Sequence, residues 1–338
     1  MVSDRTKRNL KAELRESALA KLGVALVALV LVAAAFAPLL APHDPTATDP
    51  GNASLPPLGF STTENRTTSE MVDGEIQVVE QEVQVNATAS HPLGTDSVGR
   101  DVLSRVLFGA RTSLLVGIFG TALAVALGVA VGLTAGYYGG RVDDGLMRVA
   151  DVMLAFPSLV LAIALIGLWG RQSIAIPDPF VRLGLAPGMP ESAVIPGTVV
   201  VVVALVNWVW FARVARGEAL SIRSAEYVTA ARAVGASDRT IIREHVLPNS
   251  ITPILVLATI QIAAIILLES ALSFLGFSGA NLSWGLDIAQ GRDYLASSWW
   301  IATMPGIAIV ISVVGINLIG DWLRDALDPG VDQGEGGV

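Results

Sequence analysis

The sequence predicts an all-α polytopic membrane protein with six transmembrane helices and a long loop after the first. Three observations carry this prediction. Of 338 residues, 52% are hydrophobic and 15% charged, below the roughly 25% charged of ordinary soluble domains. The apolar residues cluster into six stretches, each near the roughly 20 residues that a helix needs to cross a bilayer. None of the six contains Lys, Arg, Asp or Glu, whereas a soluble helix of that length shows a polar face.

Residues 1–21 form a basic tail, and the first span is Leu22–Ala41. Its apolar run exceeds the roughly 7–15 residues of a cleaved signal. It ends in Pro38 and Pro42 without a small-x-small site, so it reads as a retained span. Residues 42–110 are the longest non-membrane segment and carry an acidic surplus. Within it, 74–88 alternates as Ile76, Val78, Val83 and Val85 among polar residues. That pattern fits a marginal hairpin better than an unstructured insert. N-x-S/T sequons stand at Asn52, Asn65 and Asn86, with a fourth at Asn281. A glycosylated outer surface and chance in Thr-rich loops both account for them.

The remaining spans lie in a core over 111–322, followed by a tail over 323–338. Leu114–Ala135 contains Gly128 and Gly132, a small-xxx-small pair that lets helices approach closely. Val152–Gly170 and Ala193–Ala212 follow. Ile251–Leu268 is the shortest and includes Thr252, Thr259 and Gln261; Trp299–Gly320 is the last. Asn207, Gln261 and Asn317 are amides in or near spans and should face the bundle interior. Packing against a neighbouring helix is favoured over lining a permeation path. Glu269 closes the fifth span and is the strongest candidate for a charged group in that path, with an interfacial carboxylate as the alternative. Asn207, Gln261 and Glu269 are therefore the candidate path residues.

Lys and Arg mark the cytoplasmic side. They gather in the N-terminal tail and, as Arg213, Arg216, Arg223, Arg232, Arg239 and Arg243, in the segment 213–250. Six spans put these two segments on one side of a cell membrane. Both termini and 213–250 are then expected to be cytoplasmic, with 42–110, 171–195 and 273–297 outside. Trp169, Trp208, Trp210, Trp299, Trp300 and Trp322 fall near span ends, as an interfacial belt would. Trp284 lies in an outer loop.

Several chemistries are excluded. Without cysteine there are no disulfides, thiolate metal sites or Cys nucleophiles. Without G-x-x-x-x-G-K-[ST], or any Gly-Lys pair, the chain lacks the phosphate-cradling loop of an ATPase. His43, His91 and His245 are scattered and make no H-E-x-x-H motif, so no metal site is predicted on them. No catalytic constellation, cofactor site or nucleic-acid surface stands out, and the chain does not read as an enzyme.

The segment 213–250 is the informative one. A helix is expected from Ala225 to Val234, with Ser224 as N-cap, Glu226 in the first turn and Gly235 past the end. Ser237 or Asp238 should cap a second helix, and Pro248 should stop it. Ala230, Ala231 and Val234 make a small apolar strip flanked by Arg232 and Glu226. Such a strip suits docking into a partner's groove and equally suits a linker lying on lipid headgroups.

The residues also carry a resemblance. Ala230-Ala231-x-x-x-Gly235, nine residues, then His245-x-Leu247-Pro248-Asn249 resembles the EAA loop of ABC importer permeases. Thr229 replaces the usual Glu and His245 the usual Ile. The run from Glu226 to Asn249 is closer to the version of the peptide and nickel importer subfamily. Independently, 91–105, reading HPLGTDSVGRDVLSR, resembles the segment before the transport core of C-type dipeptide and oligopeptide permeases. Gly136 to Arg141 with Asp151 and Pro157, and Leu272 to Gly276 with Trp284-Gly285, fit too. The resemblance spans about 20–330, and about 59–90 is an insertion with no counterpart.

It implies a type I ABC importer permease fold whose 225–248 loop couples to an ATPase through Glu226, Tyr227, Ala230, Ala231, Gly235, His245, Leu247 and Pro248. It implies a second permease, two ATPase subunits that bind ATP and Mg, and an extracytoplasmic binding protein. Di- or oligopeptides are the implied solutes. The alternative is a secondary carrier driven by an ion gradient, which would show repeats and mid-membrane charges. Neither is found.

Overall fold

A computed structural model describes residues 14–72, 75–280 and 282–327. The chain folds mainly into helices: α1 (Ala18–Ala35), α2 (Ala37–Leu40), α3 (Val102–Tyr138), α4 (Gly140–Leu154) and α5 (Ser158–Trp169). These are followed by α6 (Pro179–Arg182), α7 (Gly197–Ile222), α8 (Glu226–Ala233), α9 (Asp238–Ile241), α10 (Leu247–Phe274), α11 (Trp284–Gly291) and α12 (Trp300–Leu327). Two antiparallel hairpins complete the description. β1 (Ser61–Val72) pairs with β2 (Glu75–Asn86), and β3 (Ile174–Pro177) with β4 (Ser192–Ile195).

Among the described residues, five helical runs are long and apolar enough to cross a membrane: α1, α3, α7, α9 through α10, and α12. The predicted third span does not form one rod. α4 and α5 meet at 93° around Ala155–Pro157, and they make a sixth crossing only if the bent pair counts as one. Pro157 supplies the physical reason. It disfavours helical geometry at Phe156 and itself adopts ψ 127° as the residue ahead of α5. The 12 residues of α5 rise only about 18 Å, short of a bilayer core about 30 Å thick.

Other boundaries also shift. α3 begins at Val102, capped by the Asp101 carboxylate on the Ser104 N–H, so the first loop ends before residue 110. Residues 193–195 of the predicted fourth span belong to β4, and its helix starts at Gly197. The 74–88 alternation belongs to a longer hairpin, in which Ser61 pairs with Asn86 and Val72 with Glu75.

Small residues set the tightest packing. A β-carbon at Gly128 would collide with the Trp208 carbonyl, and one at Gly132 with the Ala212 carbonyl. Gly120 and Gly136 sit equally close to Val203 and Arg216, so α3 and α7 approach along a glycine-lined seam. Trp208 and Trp300, expected in the belt, are buried, and so is Trp284 of the outer loop. Trp284 Nε1 donates to the Val106 carbonyl and Trp300 Nε1 to the Thr95 carbonyl, each at 2.9 Å. An indole buried in this way needs such an acceptor. Trp169 and Trp210 remain exposed.

Contacts at the helix ends fix which ends lie together. The starts of α3 and α12 share a cluster of Val102, Trp300 and Ile301. The end of α3 meets the turns after α7, because Tyr137 Oη donates to Asp238 at 2.7 Å. The start of α1 lies against the end of α12, where Ser17 and Ala20 border a hollow with Leu318, Asp321 and Trp322. The start of α1, the end of α12 and the segment 223–246 therefore share one end of the bundle.

Candidate functional site

Segment 223–246 is a compact helix–turn–helix on the end of α7. The predicted loop 213–250 is mostly helical, since α7 runs to Ile222 and α10 starts at Leu247. Ser224 does not cap α8. Its hydroxyl donates back to the Ser221 carbonyl at 3.0 Å, and Ala225 takes the N-cap position with no side-chain bond. The far end matches the expectation closely. Gly235 has φ +90°, Ala236 N–H donates to the Ala231 carbonyl, and Gly235 N–H to the Arg232 carbonyl. This is a Schellman close, and it needs a left-handed residue where Gly235 stands. Ser237 then caps α9 by accepting the Thr240 N–H at 3.3 Å.

Pro248 does not stop the second helix. Residues Ile242–Val246 form a π-helical turn that runs directly into α10, with Pro248 in its first turn. A proline lacks the donor and crowds the carbonyl four residues back, and the wider π turn ahead of it relieves that conflict. The Asn249 amide donates to the His245 carbonyl at 2.6 Å and the Ser250 hydroxyl to the Val246 carbonyl at 2.9 Å. These side chains bond carbonyls of the turn that precedes them.

One side chain anchors α8. Val228 is fully buried with Ala215, Ala219, Ile222, Ile241 and Val246. The rest of the helix faces outward: Ala230 and Gly235 are exposed, Tyr227 is 47% and Val234 85% exposed, and Ala231 is half-buried. Tyr227 lies 6.0 Å from the half-buried His245, ring to ring. A β-carbon at Gly235 would meet no atom of this chain.

A set of polar clamps holds this surface. Tyr137, which also bonds Asp238, accepts from Arg232 at 3.3 Å. Arg223 donates to the Gly136 carbonyl at 3.0 Å. On α7, Arg216 binds the Asp143 carboxylate on α4 with both oxygens engaged, at 2.5 and 2.7 Å. Arg213 reaches Asp151 at 2.7 Å. Arg213, Arg216 and Arg223 thus join the end of α7 to α3 and α4. The sequence shows Tyr137 only inside a motif and gives no special place to Val228 or Asp143; Val228 is the largest apolar residue on the face it shares with Ala225 and Ala231.

The three amide and acid candidates are all buried within this chain. Asn207 donates to the Val203 carbonyl of its own helix at 2.7 Å. Gln261 Nε2 has no hydrogen-bond partner among the described residues. Glu269 accepts from Ser113 at 2.8 Å and Ser273 at 2.6 Å, tying α10 to α3. Of the sequon residues, Asn52 is half-buried and donates to Asp49, and Asn86 is exposed at the end of β2. Asn65 lies in β1 opposite Glu82, and Asn281 lies outside the described residues.

At the opposite end, Arg105 is buried and paired with Asp287 of α11, and it donates to the Pro45 carbonyl at 3.1 Å. Burial pushes the Asp287 carboxyl up, against the opposing pull of Arg105. His43 and His91, scattered in sequence, stack there with ring centroids 4.4 Å apart.

Long apolar helices joined by polar clamps at their ends define a multi-pass membrane protein. The chain belongs to the family described as binding-protein-dependent transport system inner membrane component, which matches residues 128–333. Residues 11–57 match the N-terminal TM domain of oligopeptide transport permease C. It is 35% identical to the probable D,D-dipeptide transport system permease protein DdpC of Escherichia coli K12, over 94% of this chain and 89% of that one. It is 34% identical to a di/tripeptide transport system permease protein of Pseudomonas aeruginosa, over 91% and 86%. A putative peptide transport system permease protein of Brucella suis is 44% identical over 71% and 73%. Among solved structures, an inward-facing MetNI methionine ABC transporter aligns with a TM-score of 0.47 at 19% identity, covering 67% of this chain and 97% of that one. Membership makes the chain a transport subunit that works with an ATPase and a binding protein, and nothing favours the ion-gradient carrier.

Proposed function

We propose that this chain is one of two permease subunits of a peptide importer, driven by two ATPase subunits that bind ATP and Mg and fed by an extracytoplasmic binding protein. Di- and oligopeptides are the proposed solutes, because the similar permeases are named for them. The proposed topology has six crossings, the bent α4–α5 pair supplying one, with both termini cytoplasmic. The basic residues of 213–250, at the end shared by the start of α1 and the end of α12, support that orientation.

The observation that carries the coupling reading is the outward face of α8. Tyr227, Ala230, Val234 and Gly235 are exposed, on a helix anchored by Val228 and clamped to α3 through Arg232 and Tyr137. An apolar face held rigidly at the cytoplasmic end suits a groove on an ATPase, with Glu226, Ala231, His245, Leu247 and Pro248 supporting it. Glu269 is read as a tie between α3 and α10, and Asn207 as a helix-internal bond. Gln261, with a buried amide unpartnered among the described residues, is the remaining candidate for a path or a second permease. Uptake of a labelled dipeptide into proteoliposomes holding the assembled transporter is expected to stop with vanadate and to persist with a protonophore. The reverse pattern would return the chain to the carrier class.

A further inference from the structure

At the end opposite 223–246, the described residues gather a set of metal-type ligands. His43 follows α2, while His91 and Asp101 flank the turn that leads into α3. One ligand atom from each lies within 4.8 Å of the other two. His91 Nδ1 is 2.9 Å and His43 Nδ1 3.9 Å from the same oxygen, Oδ1 of Asp101. The other oxygen is already held, since Asp101 Oδ2 accepts the Ser104 N–H and hydroxyl, both at 2.7 Å. Ser104 Oγ in turn accepts the His43 N–H at 3.2 Å. The helix cap therefore fixes the carboxylate with one oxygen turned to two imidazoles, the outer-shell support that orients metal ligands.

A second observation points to a missing partner. His43 Nδ1 is buried with no hydrogen-bond partner among the described residues, although the side chain as a whole is 40% exposed. A buried unsatisfied nitrogen is costly, and the 40% exposure of the side chain puts the ring within reach of solvent. We propose that His43, His91 and Asp101 form a divalent transition-metal site, with water completing a tetrahedron. Two imidazoles and one carboxylate suit zinc and its neighbours, whereas calcium and magnesium prefer all-oxygen shells. Bonds of about 2.0–2.1 Å set tetrahedral ligands about 3.3 Å apart. The observed 2.9 and 3.9 Å separations lie on either side of that value. The stacked rings, 23° apart in plane, must open for both nitrogens to face one ion, and His43 is the more exposed of the two. The ion would close the excursion from His43 to His91, which carries the β1–β2 hairpin. In a chain without cysteine no disulfide can do so.

The test uses the assembled transporter in detergent, carried on a tag without histidine, stripped with chelator and desalted. Zinc is then added, excess is removed, and bound metal is measured by mass spectrometry alongside thermal unfolding. Wild type is expected to hold about one zinc per chain more than His43→Ala, and to unfold several degrees higher with zinc but not with magnesium. His43→Ala leaves the His91–Asp101 bond in place, so its fold is expected to survive. His43→Cys, a thiolate in the same position, is expected to restore the ion. Cobalt added to wild type is expected to give the visible bands of a tetrahedral site, a readout that needs no variant. Equal zinc in wild type and His43→Ala, or cobalt bound without those bands, overturns the proposal.

Discussion

At Gly235 the backbone, not the available space, decides what can replace it. A β-carbon there meets nothing, but φ is +90°. Any L side chain is penalised by roughly 1–2 kcal/mol, Asn least. Aspartate also places an anion at the negative end of α8. Gly235→Asp is therefore expected to leave the protein in the membrane at normal level, yet to lower ATPase co-purification and uptake sharply. Gly235→Asn is expected to retain most of both. Ala231→Glu is expected to behave like Gly235→Asp, and Ser221→Glu to do much less. Wild-type ATPase recovery and uptake in Gly235→Asp would reduce the turn to a linker. At this scale the sequence was readable where one residue has one job, as Gly235 and Ser237 do in closing and capping helices. It was not readable at Ser224, whose hydroxyl bonds a carbonyl behind it, nor at Tyr137, whose partners lie far along the chain.

The α3–α7 seam governs the element scale. Its glycines admit carbonyl groups of the partner helix, so a larger side chain must push the helices apart. Overpacking of a tight contact typically costs about 1–3 kcal/mol, and Gly132 faces backbone, which cannot step aside. Gly132→Val is expected to lower the thermal stability of the detergent-purified subunit by several degrees. Gly217→Ala, on the same α7 where a β-carbon meets no atom, is expected to leave it unchanged or slightly higher, as alanine favours helix over glycine. Equal melting temperatures for Gly132→Val and wild type would show the seam to be loose. Hydropathy located these helices because lipid-facing segments must be apolar along their whole length. It did not show the bend in the third because apolar content says nothing of direction: at Pro157 the apolar α5 leaves the charged α4 at 93°. Pro248 misled in the opposite sense, because a π turn absorbed a residue that ordinarily ends a helix.

At the scale of the molecule, contacts place the start of α1, the end of α12 and segment 223–246 at one end, and the basic residues argue that this end is cytoplasmic. A single cysteine at Ser90, exposed at the far end in a chain with no other cysteine, is expected to react with an impermeant maleimide on intact cells. One at Ser237 is expected to react only after permeabilisation, and the opposite result inverts the topology. The insertion was visible in the sequence as a stretch outside every motif, while its strand pairing came from the structure. That pairing defines how to remove it. Ser61 and Asn86 are direct partners, so their backbones lie about 5 Å apart. Residues 61–86 can then be replaced by a Gly-Ser link without pulling on either flank. The sheet they form has only two strands, and such hairpins are marginal on their own. Shortening the loop lowers its closure entropy slightly. Phe60 must stay, because its ring packs edge-on against Trp299 at 5.4 Å. The deletion is expected to leave membrane level, melting temperature and peptide uptake near wild type. Normal membrane level with uptake abolished would instead make the hairpin a contact for the binding protein or its solute. A drop in melting temperature would mean that the hairpin supports the bundle.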